Sequence, residues 1–338
     1  MNSSSCVAAG HDAQSALLNL CDTLRGLPEI AAKRAIQLAA TQAQEIAPVP
    51  LTLTQRYALP GDDCAAFAVA DGYQLLAMEG MLPDFVRTDP RAAGWSSVMV
   101  NISDIAAMGG RPTAVVNAYW HADGAQAGEL LSHMKRACDV FGVTFAGGHS
   151  SLREDYTPHL AVAIMGEARR LLSSYHVAAG QRLFMLTDLT GSWHGNLPYW
   201  GCVGGKTPEQ IRAQWAVPAE LAEAGLAVAA KDISNGGVLG TLIMMLELTG
   251  CGATLDLSAI PRPPGDLLRW LRAFQSYGFL LAVEPDKVPG LLNYFRASHL
   301  TCCPVGEITD SGTILLDDAG ATCEFWNLQQ QPLTGLGV

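Results

Sequence analysis

Charge is scarce in this chain: only 16% of its 338 residues are Asp, Glu, Lys or Arg, while 49% are hydrophobic. A large core can therefore be buried, and the length suggests roughly two domains. Basic side chains are the scarcer kind, 21 Lys and Arg against 32 Asp and Glu, for a net charge of −11. With no basic run and no basic amphipathic helix, a nucleic-acid surface is excluded, because phosphate contacts need Lys and Arg. A small anionic substrate remains admissible where metal ions neutralise it locally. No apolar run approaches a membrane span, and Met1 to Asp12 lacks the apolar core of a signal peptide. The nine cysteines are odd in number and include no Cys-x-x-Cys, so neither a zinc site nor a disulfide framework is expected. Cys302-Cys303 fall in a strand-like stretch and point to opposite faces. The chain reads as a reduced, cytoplasmic protein with no membrane or nucleic-acid partner.

Two common catalytic signatures are also missing. Gly-x-Ser-x-Gly does not occur, and Ser192 and His194 have no evident orienting Asp, so a hydrolase triad is not supported. Gly204-Gly205-Lys206-Thr207 ends like a phosphate loop, but Tyr199 or Trp200 stands where the earlier glycine must be.

What is present is organised in blocks. Residues 12–46 are helical in pattern, and Pro48-Val-Pro50 separates them from the rest. Strands are expected over 64–70 and 73–78, joined by Asp71-Gly72, a hairpin signal. Val100 to Pro112 belongs to a helix that Asp89-Pro90 can start and Gly109-Gly110 can end. A strand over 113–120, a helix over 125–140 and strands over 143–146 and 160–166 complete an α+β unit. A second unit begins near Ala168. It has a strand over 182–187, helices over 208–215, 218–228 and 237–248, and a strand over 253–257. A helix over 266–274, a strand over 278–283, a helix over 285–297 and three closing strands follow.

Four groups of residues carry possible chemistry. Asp104 lies in an almost wholly apolar helix, with Asn101 three residues earlier on the same face. An ionised carboxylate there is costly unless it is paired, binds a metal or accepts backbone hydrogen bonds. Asp62-Asp63 follow Gly61 at a turn, where both can reach a hard cation such as Mg²⁺, or simply meet solvent. Gly147-Gly148-His149-Ser150 follows a short strand, where paired glycines can let backbone N–H groups approach a phosphate, or simply make a turn. Lys231 and Asp232 precede Ser234 and Gly236-Gly237 at a helix start, which suits an anion site or a simple cap.

Together these motifs resemble the AIR synthase-related (PurM-like) superfamily. That superfamily includes aminoimidazole ribonucleotide synthase, thiamine-monophosphate kinase and selenophosphate synthetase. Gly61-Asp62-Asp63-Cys64-Ala65 and Val100 to Pro112 resemble the kinase. Gly147-Gly148-His149-Ser150 resembles the synthetase. Asp232 to Gly237, Tyr277 to Val283 and Val305-Gly306-Glu307-Ile308 resemble the second domain. The resemblance implies a two-domain α+β fold. A helical extension would cover residues 1–46, an ATP- and metal-binding domain 47–167, and an α/β sandwich domain 168–338. It further implies a homodimer whose first domains pair into a β-barrel, with ATP near the interface.

By the same resemblance, Asp62, Asp63 and Asp104 would hold Mg²⁺. Asn101, Gly147, Gly148, Ser150 and Lys231 would bind the nucleotide. Asp104, His149 and Asp232 would carry the catalysis. The implied activity is ATP-dependent phosphorylation or phosphate activation of a small-molecule substrate. Three acids of the kinase pattern are replaced here, by Leu75, His149 and Asn235. That departure raises the alternative of a homologue that binds nucleotide without chemistry. Cys64, in an Ala position, is expected to be a small buried residue.

Overall fold

The computed structural model describes residues 3–46 and 52–337, the side chains of 3–11 and 43–46 excepted. The Pro48-Val-Pro50 step lies outside the described residues. An N-terminal arm of helices α1 (Ser3–Arg25), α2 (Pro28–Ala32) and α3 (Gln37–Ile46), with a 3-10 turn at Lys33–Ile36, is followed by the short α4 (Leu53–Arg56).

The first sheet has five strands: β1 (Ala65–Val69), β2 (Gly72–Met81), β3 (Arg111–His121), β4 (Thr144–Leu152) and β5 (His159–Ala168), in the order β1-β2-β5-β3-β4. The hairpin expected at Asp71-Gly72 is present, with Val69 opposite Gly72. Helices α5 (Pro83–Thr88), α6 (Pro90–Ala107) and α7 (Gly124–Phe141) belong to this unit. Leu75 and Ala77 of β2 and Val162 and Ile164 of β5 point inward and are buried. The opposite face carries Phe67, Leu76, Met78, Val116 and Met165, all exposed. A single chain closes no barrel among the described residues; its five-stranded sheet is open.

The second sheet is mixed and has seven strands. They are β6 (Arg182–Thr187), β9 (Ala229–Asp232), β10 (Gly252–Asp256), β12 (Gly278–Val283), β13 (Thr301–Thr309), β14 (Thr313–Asp318) and β15 (Ala321–Asn327). A small third sheet joins β7 (Ser192–Trp193), β8 (Tyr199–Gly201) and β11 (Phe274–Gln275). Helix α8 (Pro208–Glu223) runs straight through Pro218, where two helices were expected. Its buried face, Ile211, Trp215, Ala219 and Ala222, continues across the proline, so packing overrides the local break. Trp215 ties the units together. Its ring meets Phe141 and Tyr277 edge-on, each at 5.0 Å, and its indole N–H donates to Ser103 Oγ at 3.2 Å.

Helix α9 (Gly237–Glu247) is buried along its whole length. The arm shares its apolar cluster through Leu17, Cys21, Leu24 and Ile30. Among the described residues no helix is long and apolar enough to cross a membrane.

Candidate functional site

The site is built on α6. Asp89 caps its N-terminus by accepting from the Ala92 N–H at 2.9 Å, with Pro90 in the first turn. At the other end Gly110 N–H closes on the Ile105 carbonyl, and Gly109 adopts a left-handed conformation. Ala92, Ser96, Val100 and Asp104 recur every fourth residue and line one cleft between the two units. The cleft has a volume of about 960 Å³. Trp95 and Met99 of α6 and Tyr199 and Phe274 of the second unit give it apolar walls. The Tyr199 and Phe274 rings stack at 5.7 Å. Asp104 lies about 14 Å further along the helix axis than Trp95, at nine residues' rise.

Asp104 and Asp232 share this cleft, each only 8% exposed. Among the described residues, neither carboxylate has a hydrogen-bond donor or an ion-pair partner. Burial raises the Asp104 carboxyl well above the usual carboxylate range, and the nearby charges of Asp232, Glu79 and Asp63 push it further. Asp232 is pushed up to about 7, first by burial and then by Asp63, against the pull of Lys231 and Lys33. Glu79, at the cleft wall, is raised by lost hydration and by Asp63, and lowered by Lys33. The arrangement is an acid cluster short of positive charge.

The adjacent acids are engaged differently. Asp62 accepts hydrogen bonds from Ser173 Oγ and from the Ser174 N–H. Asp63 forms a buried ion pair with Lys231 and accepts from the Asp232 N–H at 3.4 Å. Cys64 is buried and its thiol is pushed far up by burial and by Asp104, an inert environment for a thiol, as expected. Asn101 is fully buried. Its amide donates back to the Ser97 carbonyl at 2.8 Å rather than lining the cleft.

Three local expectations need correction. The segment with Gly147, Gly148, His149 and Ser150 is not a loop after a short strand but the middle of β4, an edge strand parallel to β3. Gly148 is required there because a Cβ would fall 2.0 Å from the Asn117 carbonyl oxygen, at φ +155°. His149 is exposed opposite Ala118, its ring 6.2 Å from that of Trp120. It is on the outer face of the sheet, away from α6. Within one chain the structure therefore separates this motif from the acid cluster. Residues 229–232 likewise form a strand, and neither Asp232 nor Ser234 caps α9; its N-cap is Gly236.

Lys33 is the residue that sequence reading missed. It comes from the arm, 71 positions before Asp104, and no local pattern marks it. Glu79, in β2, belongs to none of the motifs read from the sequence.

Residues 61–168 match the family profile described as AIR synthase related protein, N-terminal domain, and residues 203–317 match its C-terminal domain. The chain is 41% identical over 305 residues to the uncharacterized protein sll0787 of Synechocystis, covering 90% of this chain and 93% of that one. It superposes on Thermotoga maritima PurL complexed with ATP with a TM-score of 0.67 at 18% identity, covering 81% of this chain. It spans only 46% of that PurL chain. AaThiL complexed with AMPPCP and TMP superposes with a TM-score of 0.58 at 17% identity, covering 76% of this chain and 87% of that one. At such identities the two structures speak for a shared fold, the two-domain α+β arrangement described above.

Proposed function

The chain belongs to the AIR synthase related protein family, and from that premise we propose that it is a Mg²⁺- and ATP-dependent enzyme that phosphorylates, or activates by phosphorylation, a small metabolite. One observation carries the reading. Asp104 and Asp232 are buried carboxylates without hydrogen-bond partners, facing one cleft. Unpaired carboxylates that face a cleft in this way suit a hard cation held jointly with phosphate oxygens. Among the described residues no three His, Cys, Asp or Glu side chains converge as a metal cage. Mg²⁺ on a nucleotide needs only one or two carboxylates. Asp104 would supply one of them. Asp62 and Asp63 would join only by releasing Ser173 and Lys231.

A bound Mg²⁺ would neutralise phosphate charge, which is most of what phosphoryl transfer requires. The chain's own groups do the rest. Trp95 and Met99 of α6, with Tyr199 and Phe274, hold the acceptor's body and exclude water. Asp232, facing the same cleft, would take the acceptor's proton. The acceptor–phosphorus bond forms as the bond between the γ-phosphorus and the β-phosphate oxygen breaks, releasing ADP.

The exposed apolar outer face of the first sheet supports a homodimer in which two such faces pair. Gly147, Gly148, His149 and Ser150 would then meet a nucleotide only from across that interface. Their assignment to the nucleotide stands or falls with the dimer.

The test is calorimetric titration of AMPPCP into the protein with Mg²⁺ and then with EDTA. Metal-dependent binding near one site per chain is expected. Asp104→Asn should weaken it by roughly tenfold or more while the circular dichroism spectrum is unchanged. Equal binding by wild type and variant would remove Asp104 from the site.

The second reading, nucleotide binding without chemistry, draws on Leu75. It occupies an acidic position of the kinase pattern and is fully buried in the first unit's core. Tight nucleotide binding with no phosphate transfer across a metabolite panel would favour it; any phosphorylated product removes it.

A further inference from the structure

The N-terminal arm lies outside both segments that match the family profiles, yet it reaches the cleft. Helix α1 is strapped to the second unit by Arg25, whose Nε donates to the Phe325 carbonyl at 2.8 Å. The chain then turns at Gly26 and enters α2 at Pro28. Two anchors follow. Glu29 pairs with Arg272 at 2.5 Å. Ile30 is 1% exposed and packs over Gly236 and Gly240, where a Cβ would lie 3.8 and 3.6 Å from its Cγ1. These contacts fix the backbone one turn before Lys33, so its position is set by the fold.

Lys33 lines the same cleft as Glu79, Asp104 and Asp232. Among the described residues no carboxylate lies within 4.0 Å of its ammonium group. Its charge nevertheless bears on both Glu79 and Asp232. A lysine that lines the same cleft as an acid cluster without pairing to it can share one bound group with those acids. A Mg²⁺-loaded phosphate is such a group, its oxygens facing the ammonium and its metal facing the acids. The lysine head, a compact charge with three donors, suits a terminal phosphate that needs no fixed fork geometry.

We propose that Lys33, delivered by the arm, binds the terminal phosphate of the nucleotide and is a residue of the functional site. This rests on the ATP-dependent reading above and adds a contact outside the two family domains. A lysine that merely tunes the acids would affect all nucleotides alike; one that touches the terminal phosphate would not.

The experiment compares AMPPCP and ADP binding, both with Mg²⁺, to wild type, Lys33→Ala and Lys33→Arg, by calorimetry on the full chain. Melting curves of the three proteins check that each is folded. Lys33→Ala should lose AMPPCP affinity by roughly 10- to 100-fold, the range of one charge-assisted contact, and hold ADP affinity within about twofold. Lys33→Arg should keep most of the AMPPCP affinity. Equal loss for both nucleotides, or no loss for either, overturns the proposal while leaving the ATP reading intact. If the wild type binds neither nucleotide, the reading of the site itself fails and this inference with it.

Discussion

Replacing Asp232 with Asn should make the unliganded protein more stable at neutral pH. In the folded protein the Asp232 carboxyl is held at about 7 instead of 3.8, chiefly because burial strips its water and then because Asp63 repels its charge. Below about pH 3 the group is neutral in folded and unfolded chains alike and makes no difference. As the pH rises the unfolded chain gives up its proton first, so the folded state is penalised progressively up to about pH 7 and by a constant amount beyond. A rise of this size corresponds to on the order of 4 kcal/mol. An amide does not ionise and escapes the penalty.

Urea unfolding in EDTA should therefore give free energies within about 1 kcal/mol of each other at about pH 4.5, diverging to an advantage of up to about 4 kcal/mol for the variant at about pH 8. Asp104 adds a slope of the same sign, weaker in the variant because the Asp232 charge that helps hold its carboxyl high is gone, which widens the variant's advantage. The informative quantity is the difference between the two curves. A variant less stable than wild type at the alkaline end, or two parallel curves, would refute the description of Asp232 as a buried acid lacking a partner.

Two further perturbations probe other parts of the molecule. Glu247, 4% exposed, gathers the chain near its C-terminus by accepting from the N–H groups of Leu333, Thr334 and Gly335 and from Thr334 Oγ1. Glu247→Ala should cost about 3 kcal/mol in urea unfolding and speed hydrogen exchange at 333–335, whereas a loss under about 1 kcal/mol would mean the clamp is dispensable. Met78 is 70% exposed in the apolar outer face of the first sheet. Met78→Asp should convert a dimeric mass to a monomeric one in light scattering at micromolar concentration and weaken nucleotide binding with it; an unchanged mass would remove that face as the interface.

Much of the first unit could be read locally. The α6 start at Asp89-Pro90 and its stop at Gly109-Gly110 are interactions within a few residues, as is the turn between β1 and β2. Adjacent residues encode them, so the pattern and the structure agree. Gly148 shows the limit of such reading. A paired glycine looks like a phosphate loop, but its actual reason is the Asn117 backbone, 31 positions earlier, pressing against it across a strand pair. Pro218 looks like a helix start, yet Trp215 and its neighbours bury a face long enough to carry α8 through it.

The sequence by itself determined the family, the two-unit α+β architecture and the presence of Asp104 in an apolar helix, because periodicity, caps and ordered motifs are local properties of the chain. Only the tertiary structure decided which charges meet. It tied Asp63 to Lys231, put His149 on the far side of the sheet, and brought Lys33 from the arm to Glu79 and Asp232. Electrostatic partnership depends on distance in space and on the loss of water between groups, and neither is written in the order of residues along the chain.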